Sequence, residues 1–168
     1  MNATLKCGFI YDLATRLKAS GDLVAIERST PNRVPDEGLT DIATAYLKGG
    51  AGPAALYIGL WSGPHTPDGT ETAAALASVV TEVTNYSQTG RLPLTLGAVT
   101  AGACSNAASL ARFDMLGAAT VNGAFISTVQ TKGASTGKLL SVVRFANPRP
   151  VDETVYLEVL SGFQFISL

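Results

Sequence analysis

The chain carries one histidine, His65, in a loop between Gly63-Pro64 and Thr66-Pro67. A solitary loop imidazole is ordinarily solvated surface, and acid–base work would need a partner that its neighbours do not announce. Two cysteines, Cys7 and Cys104, lie far apart and outside any CxxC spacing. With one histidine they fall short of the ligand set of a zinc centre, and they are read as isolated small apolar side chains. Carboxylates are scattered as Asp36-Glu37, Asp68 with Glu71, Glu82, and Asp152-Glu153; nothing in that spacing selects a pair for glycoside hydrolysis. Asp68-Gly69-Thr70-Glu71 brings carboxylate oxygens near glycine but lacks the alternating ladder of a calcium-binding EF-hand loop. Helix capping by Thr70 is expected there instead. Gly8, Gly21, Gly97 and Gly102 form no phosphate-cradling motif, and no GxSxG elbow presents a serine. No catalytic residue, cofactor-binding residue or metal ligand is therefore assigned, and the chain is read as a non-enzyme without cofactors.

Trp61 and the loop tyrosines could form a sugar-binding platform, but the closing residue of a core strand is the expected role of Trp61. Arg91 follows a tight turn, while Arg112 and Arg144 sit inside apolar runs. The latter two are expected to find carboxylates or backbone carbonyls, within the domain or across a subunit boundary. A hydrolase would need Glu82, Asp114 or Glu158 gathered near Arg91.

A length of 168 residues fits one domain with a short terminal arm. Charged residues make up only 15% of the chain, well under the usual share of about 25%. Such a surface is either partly buried in an assembly or simply rich in Thr, Ser and Gly. A formal net charge of -1 draws the chain to neither phosphate backbones nor anionic lipid, so no nucleic-acid or membrane partner is expected. No signal peptide is read at the start, and no apolar run reaches the roughly 18 residues of a membrane span. A soluble protein made in a cytoplasm is expected.

Phe9, Leu13 and Leu17 recur at four-residue steps and predict a short amphipathic helix ending near Ser20-Gly21. A strand candidate, Leu23–Arg28, and a proline-bearing connector, 29–38, follow it. Residues 1–37 then read as an arm lying across something else, and 38–168 as the sandwich domain. Thr40 caps a predicted helix through Lys48. The unbroken apolar run Ala54–Trp61 predicts a strand buried on both faces. Glu71–Val83 reads as helix then strand, Leu92–Leu96 as an edge strand confined by Pro93, and Ser105–Phe113 as a strand. Three further runs, Thr120–Val129, Lys138–Ala146 and Thr154–Leu160 continuing to Ile166, alternate with period two. They are read as an antiparallel meander, with Asn147–Pro150 breaking the pairing. One apolar sheet face needs a second layer, so the predicted class is mainly β, an antiparallel sandwich with one or two short helices near the N-terminus.

Several of these stretches, in this order, resemble small virion structural proteins of tailed bacteriophages. They are Ala54–Trp61, Glu82-Val-Thr-Asn-Tyr86 with Arg91 after it, Ser105-Asn106 before a strand ending at Phe113, Val121-Asn-Gly-Ala-Phe125, Gly137-Lys-Leu-Leu140 and Val155-Tyr-Leu-Glu-Val159. The resemblance covers residues 40–168 and not the arm. It implies a jelly-roll-like or related sandwich and a head decoration, or cement, protein on the capsid surface, bound to the major capsid protein. A homo-oligomer, dimer or trimer, is expected. A tail- or fibre-associated receptor- or carbohydrate-binding module is the neighbouring alternative.

Overall fold

A computed structural model describes residues 6–166, and its first element is a strand where the four-residue spacing predicts a helix. β1 (Lys6–Leu17) pairs along its whole length with β10 (Val155–Ile166), from Lys6 opposite Ile166 to Leu17 opposite Val155. Four is a multiple of two, so Phe9 and Leu13 suit a helical stripe and one strand face equally. Tyr11, fully buried between them, shows the face to be Phe9, Tyr11, Leu13 and Thr15. Gly21 does adopt a left-handed conformation (φ 75°), but it closes a hairpin by donating its N–H to the Leu17 carbonyl. The hairpin leads into β2 (Leu23–Pro31), which pairs with β1 across two irregularities. Residues 6–31 are thus part of a sheet, and the arm drawn at 1–37 is corrected accordingly; Met1–Leu5 lie outside the described residues.

α1 (Asp36–Leu47) begins four residues before Thr40. Pro35 occupies the N-cap position without a side-chain cap, while Asp36 and Glu37 complement the first turn. The Glu37 carboxylate accepts the Ala73 and Leu139 N–H groups at 2.9 and 2.8 Å, and Gly38 lies against the Leu139–Leu140 backbone, where a Cβ would meet the Leu139 carbonyl at 2.9 Å. These contacts set the helix start on the second sheet.

That sheet holds β3 (Tyr57–Ser62), β4 (Thr81–Val83), β8 (Ala119–Ser127) and β9 (Leu139–Val151) in the order β4-β3-β8-β9, with β5 (Leu92–Pro93) beside β3. The first sheet runs β2-β1-β10-β6, where β6 is Ala103–Ser105, and β7 (Ala111–Asp114) also pairs with β10. All pairings are antiparallel. The two sheets pack around Tyr11, Leu13, Ile58, Leu60, Phe113, Ile126, Val143 and Leu157. As the unbroken run predicts, β3 is buried on both faces. Ile58 and Leu60 enter the main core, while Trp61 joins Phe125, Leu76 and Val80 in a smaller cluster. The short α2 (Leu76–Val79), followed by β4, supplies the cover and matches the helix-then-strand reading.

Two pairing expectations are overturned. β9 pairs with β8, but β10 crosses to the other sheet, so the three runs are not one meander. Alternation reports which face is apolar and not which strand lies alongside. The Asn147–Pro150 segment stays within β9, with Thr120 opposite Pro150 and an irregularity between Val121 and Gly123 taking up the extra residues. The Ser105–Phe113 run divides into β6 and β7. Between them the fully buried Asn106 amide acts as a length of backbone, accepting the Ser161 N–H at 2.7 Å and donating to the Val159 carbonyl at 3.1 Å.

Candidate functional site

Most residues singled out for chemistry are occupied in holding the fold. Arg91 is buried (3% exposed), and five hydrogen bonds run from its guanidinium. Two reach the Glu82 carboxylate at 2.9 Å and the others Ser127 Oγ and the carbonyls of Val129 and Ala134. Glu82 also accepts the Gly133 N–H at 2.8 Å. The pair therefore clamps β4, the end of β8 and the 129–134 loop together. Of the three carboxylates that a hydrolase would gather, only Glu82 meets Arg91. Asp114 pairs with Arg112 at 2.8 Å and Glu158 with Arg16 at 2.8 Å. Arg112, about half exposed, lies over the Tyr156 ring, and Arg144 donates to the carbonyls of Gly63 and His65.

His65 faces Glu71, with Nε2 to Oε1 at 2.7 Å. Glu71 also accepts the N–H groups of Asp68 and Gly69. Burial works to raise its pKa, but the Asp68 N–H, its own N–H, His65 and the Gly69 N–H outweigh that and hold the carboxyl below the usual range. Thr70 caps no helix; Asp68 accepts both its N–H and its hydroxyl, which makes a tight turn. The turn is also tied to α1, because the Asp36 N–H donates to the Gly69 carbonyl at 2.9 Å. Trp61 is fully buried, its Nε1 shared between the Ala124 and Val143 carbonyls at 3.2 and 3.1 Å, and so offers no platform to a sugar. Cys7 and Cys104 are both free thiols on strands flanking β10.

In the sandwich interior, Tyr11 of one sheet donates to Ser141 Oγ of the other at 2.7 Å, and Asn32 donates to the same oxygen at 2.7 Å. Burial pushes the Tyr11 phenol well up, against the smaller opposing effect of Ser141 and Ser161, so it serves as a neutral donor. This link registers the two sheets.

What remains open is a groove at the end of the sandwich where β1, β3 and β9 begin and β10 ends. α1 forms one wall through Ile42, Ala45 and Tyr46, and Leu56, Phe163 and Phe165 line the floor and far side. The cavity is about 350 Å³, and Asp41 is its one ionisable carboxylate. Phe9, Phe163 and Phe165 stack edge to face, with centroids 4.9 and 4.8 Å apart. At the rim Tyr46 is 87% exposed and Phe165 44%, with Leu47 beside Tyr46 at 74%. Large apolar side chains left this open at a concavity mark an interaction surface better than scattered exposed residues do. The groove is not legible in the sequence, because its lining comes from seven separate elements and loops. The available signal was the apolar stripe of α1, which ends in Tyr46-Leu47 with no partner run beside it.

Among the described residues no group of three or more His, Cys, Asp or Glu side chains is placed to hold a metal ion, and no helix is long and apolar enough to cross a membrane. No protein-family model matches the chain, and no curated protein matches it.

Proposed function

We propose that the chain is a structural virion protein of a tailed bacteriophage, a capsid decoration protein that docks on the major capsid protein lattice and stabilises the head. In this reading it works as a homo-oligomer at the capsid surface. The ordered likeness of residues 40–168 to such proteins motivates the family. The observation that carries the reading is the groove beside α1, an open apolar concavity rimmed by Tyr46 and Phe165. A side chain from a lattice subunit seated there would remove that surface from water, and many copies would add weak contacts into avidity. Function then needs a shaped surface, which accords with Arg91, Glu82 and Glu71 being spent on internal bonds.

The test is co-sedimentation with capsids assembled without this chain. The wild-type protein should pellet with them, and Tyr46→Ser or Ala45→Arg should lower its occupancy about tenfold while leaving the thermal midpoint unchanged. A protein that stays in the supernatant, or groove variants that pellet like the wild type, would overturn the reading.

A further inference from the structure

We infer that the groove takes a peptide segment carrying one bulky apolar side chain next to a lysine or arginine. This specifies the partner's chemistry and rests on the docking reading above. Size comes first. A cavity of about 350 Å³ lies near the lower end of the roughly 300–1,000 Å³ of ligand pockets. It holds one or two side chains and is too small for a helix face. Its walls, Ala45, Ile42, Leu56 and the Phe163–Phe165 pair, ask for an aliphatic or aromatic anchor.

Charge supplies the second half. Asp41 stands at the groove and also borders two adjoining depressions, one of which adds Asp36 and Glu37. α1 holds those three acids and no Lys, Arg or His between Asp36 and Leu47. The cation lining these depressions, Lys138, pairs with Glu37 at 3.8 Å. None of the ion pairs among the described residues includes Asp41. By contrast, Glu27, Glu37, Glu71 and Glu82 are each bound to backbone N–H groups or cations. An apolar slot edged by an uncommitted carboxylate favours a cationic neighbour to the anchor and repels an acidic one.

The experiment titrates three capped tripeptides into the isotopically labelled full chain and follows backbone amide shifts. N-acetyl-Lys-Phe-Lys-amide should move the amides of Asp41–Tyr46, Leu96 and Phe163–Phe165. N-acetyl-Glu-Phe-Glu-amide should bind about tenfold more weakly, and N-acetyl-Lys-Ser-Lys-amide should leave the groove amides unmoved. Asp41→Asn should abolish the difference between the first two, as should 0.5 M salt. Equal binding of the three peptides, or shifts confined to other surfaces, would overturn the inference. If the peptides fail to discriminate while Ala45→Arg still loses capsids, the chemistry falls and the docking reading stands. If they discriminate and capsids bind regardless of the groove variants, the groove chemistry stands and the capsid reading falls.

Discussion

Arg91 illustrates what charge does in this protein. Its sequence context, directly after Tyr86–Gly90 and among apolar residues, marks it as unusual; its five bonds and its position 4.9 Å above the Phe125 ring are visible only in the folded chain. Removing one partner of a buried pair strands the other, so Arg91→Ala should lower stability by about 3–5 kcal/mol in urea unfolding. Pairing Arg91→Met with Glu82→Leu should recover much of that loss. Glu71 gives a pH signature. Its folded pKa is depressed from the ordinary 4.5, so its contribution is fully present above that value and is lost as pH falls through the folded pKa. Glu71→Gln should therefore flatten the stability profile on the acid side of pH 4.5, measured as thermal midpoint against pH. An unchanged acid slope would show that other carboxylates carry the dependence.

Helices and strands were legible to the extent that their periods were distinct. The 154–160 alternation is a strand, and α1 is a helix although it starts earlier than Thr40. β1 reads as a helix in the sequence because Phe9, Leu13 and Leu17 satisfy both periods, and the strand that decides the matter lies some 150 residues away. The glycines of β3 and β8 show the same dependence on a neighbour. Gly59 lies opposite Phe125 and Gly123 opposite Trp61, so each glycine makes room for the ring across the strand pair. A Cβ at Gly123 would sit 2.0 Å from the Val143 carbonyl oxygen and 2.4 Å from Trp61 Cε2. Gly123→Ala should cost about 3 kcal/mol or more, read by chemical denaturation, because rigid backbone and a buried indole must both shift. A loss under about 1 kcal/mol would mean that the strand pair can open there.

Across the molecule, the first and last strands lie side by side, and β1 sits between β2 and β10 in the interior of its sheet. That placement makes truncation destructive. Deleting residues 1–31 should remove Phe9, Tyr11 and Leu13 from the core and uncover the edge of β10, so the product should be unfolded or aggregated by circular dichroism and light scattering. A folded, soluble truncate would restore the view of this segment as a separable arm. The groove is equally a property of the whole, since Phe9, Ile42, Leu56, Leu96, Cys104 and Phe163 come from separate stretches of chain.

Composition and local pattern were enough to establish a mainly β chain with two apolar layers, short helices and a doubly buried β3, because hydrophobic periodicity and turn residues act within a few residues of themselves. Strand partners, the crossing of β10 to the other sheet, the roles of Arg91 and Glu71 and the groove beside α1 all depend on which distant side chains meet. Those meetings are set by packing against surfaces that the local pattern does not encode, so they follow only from the folded arrangement of the whole chain.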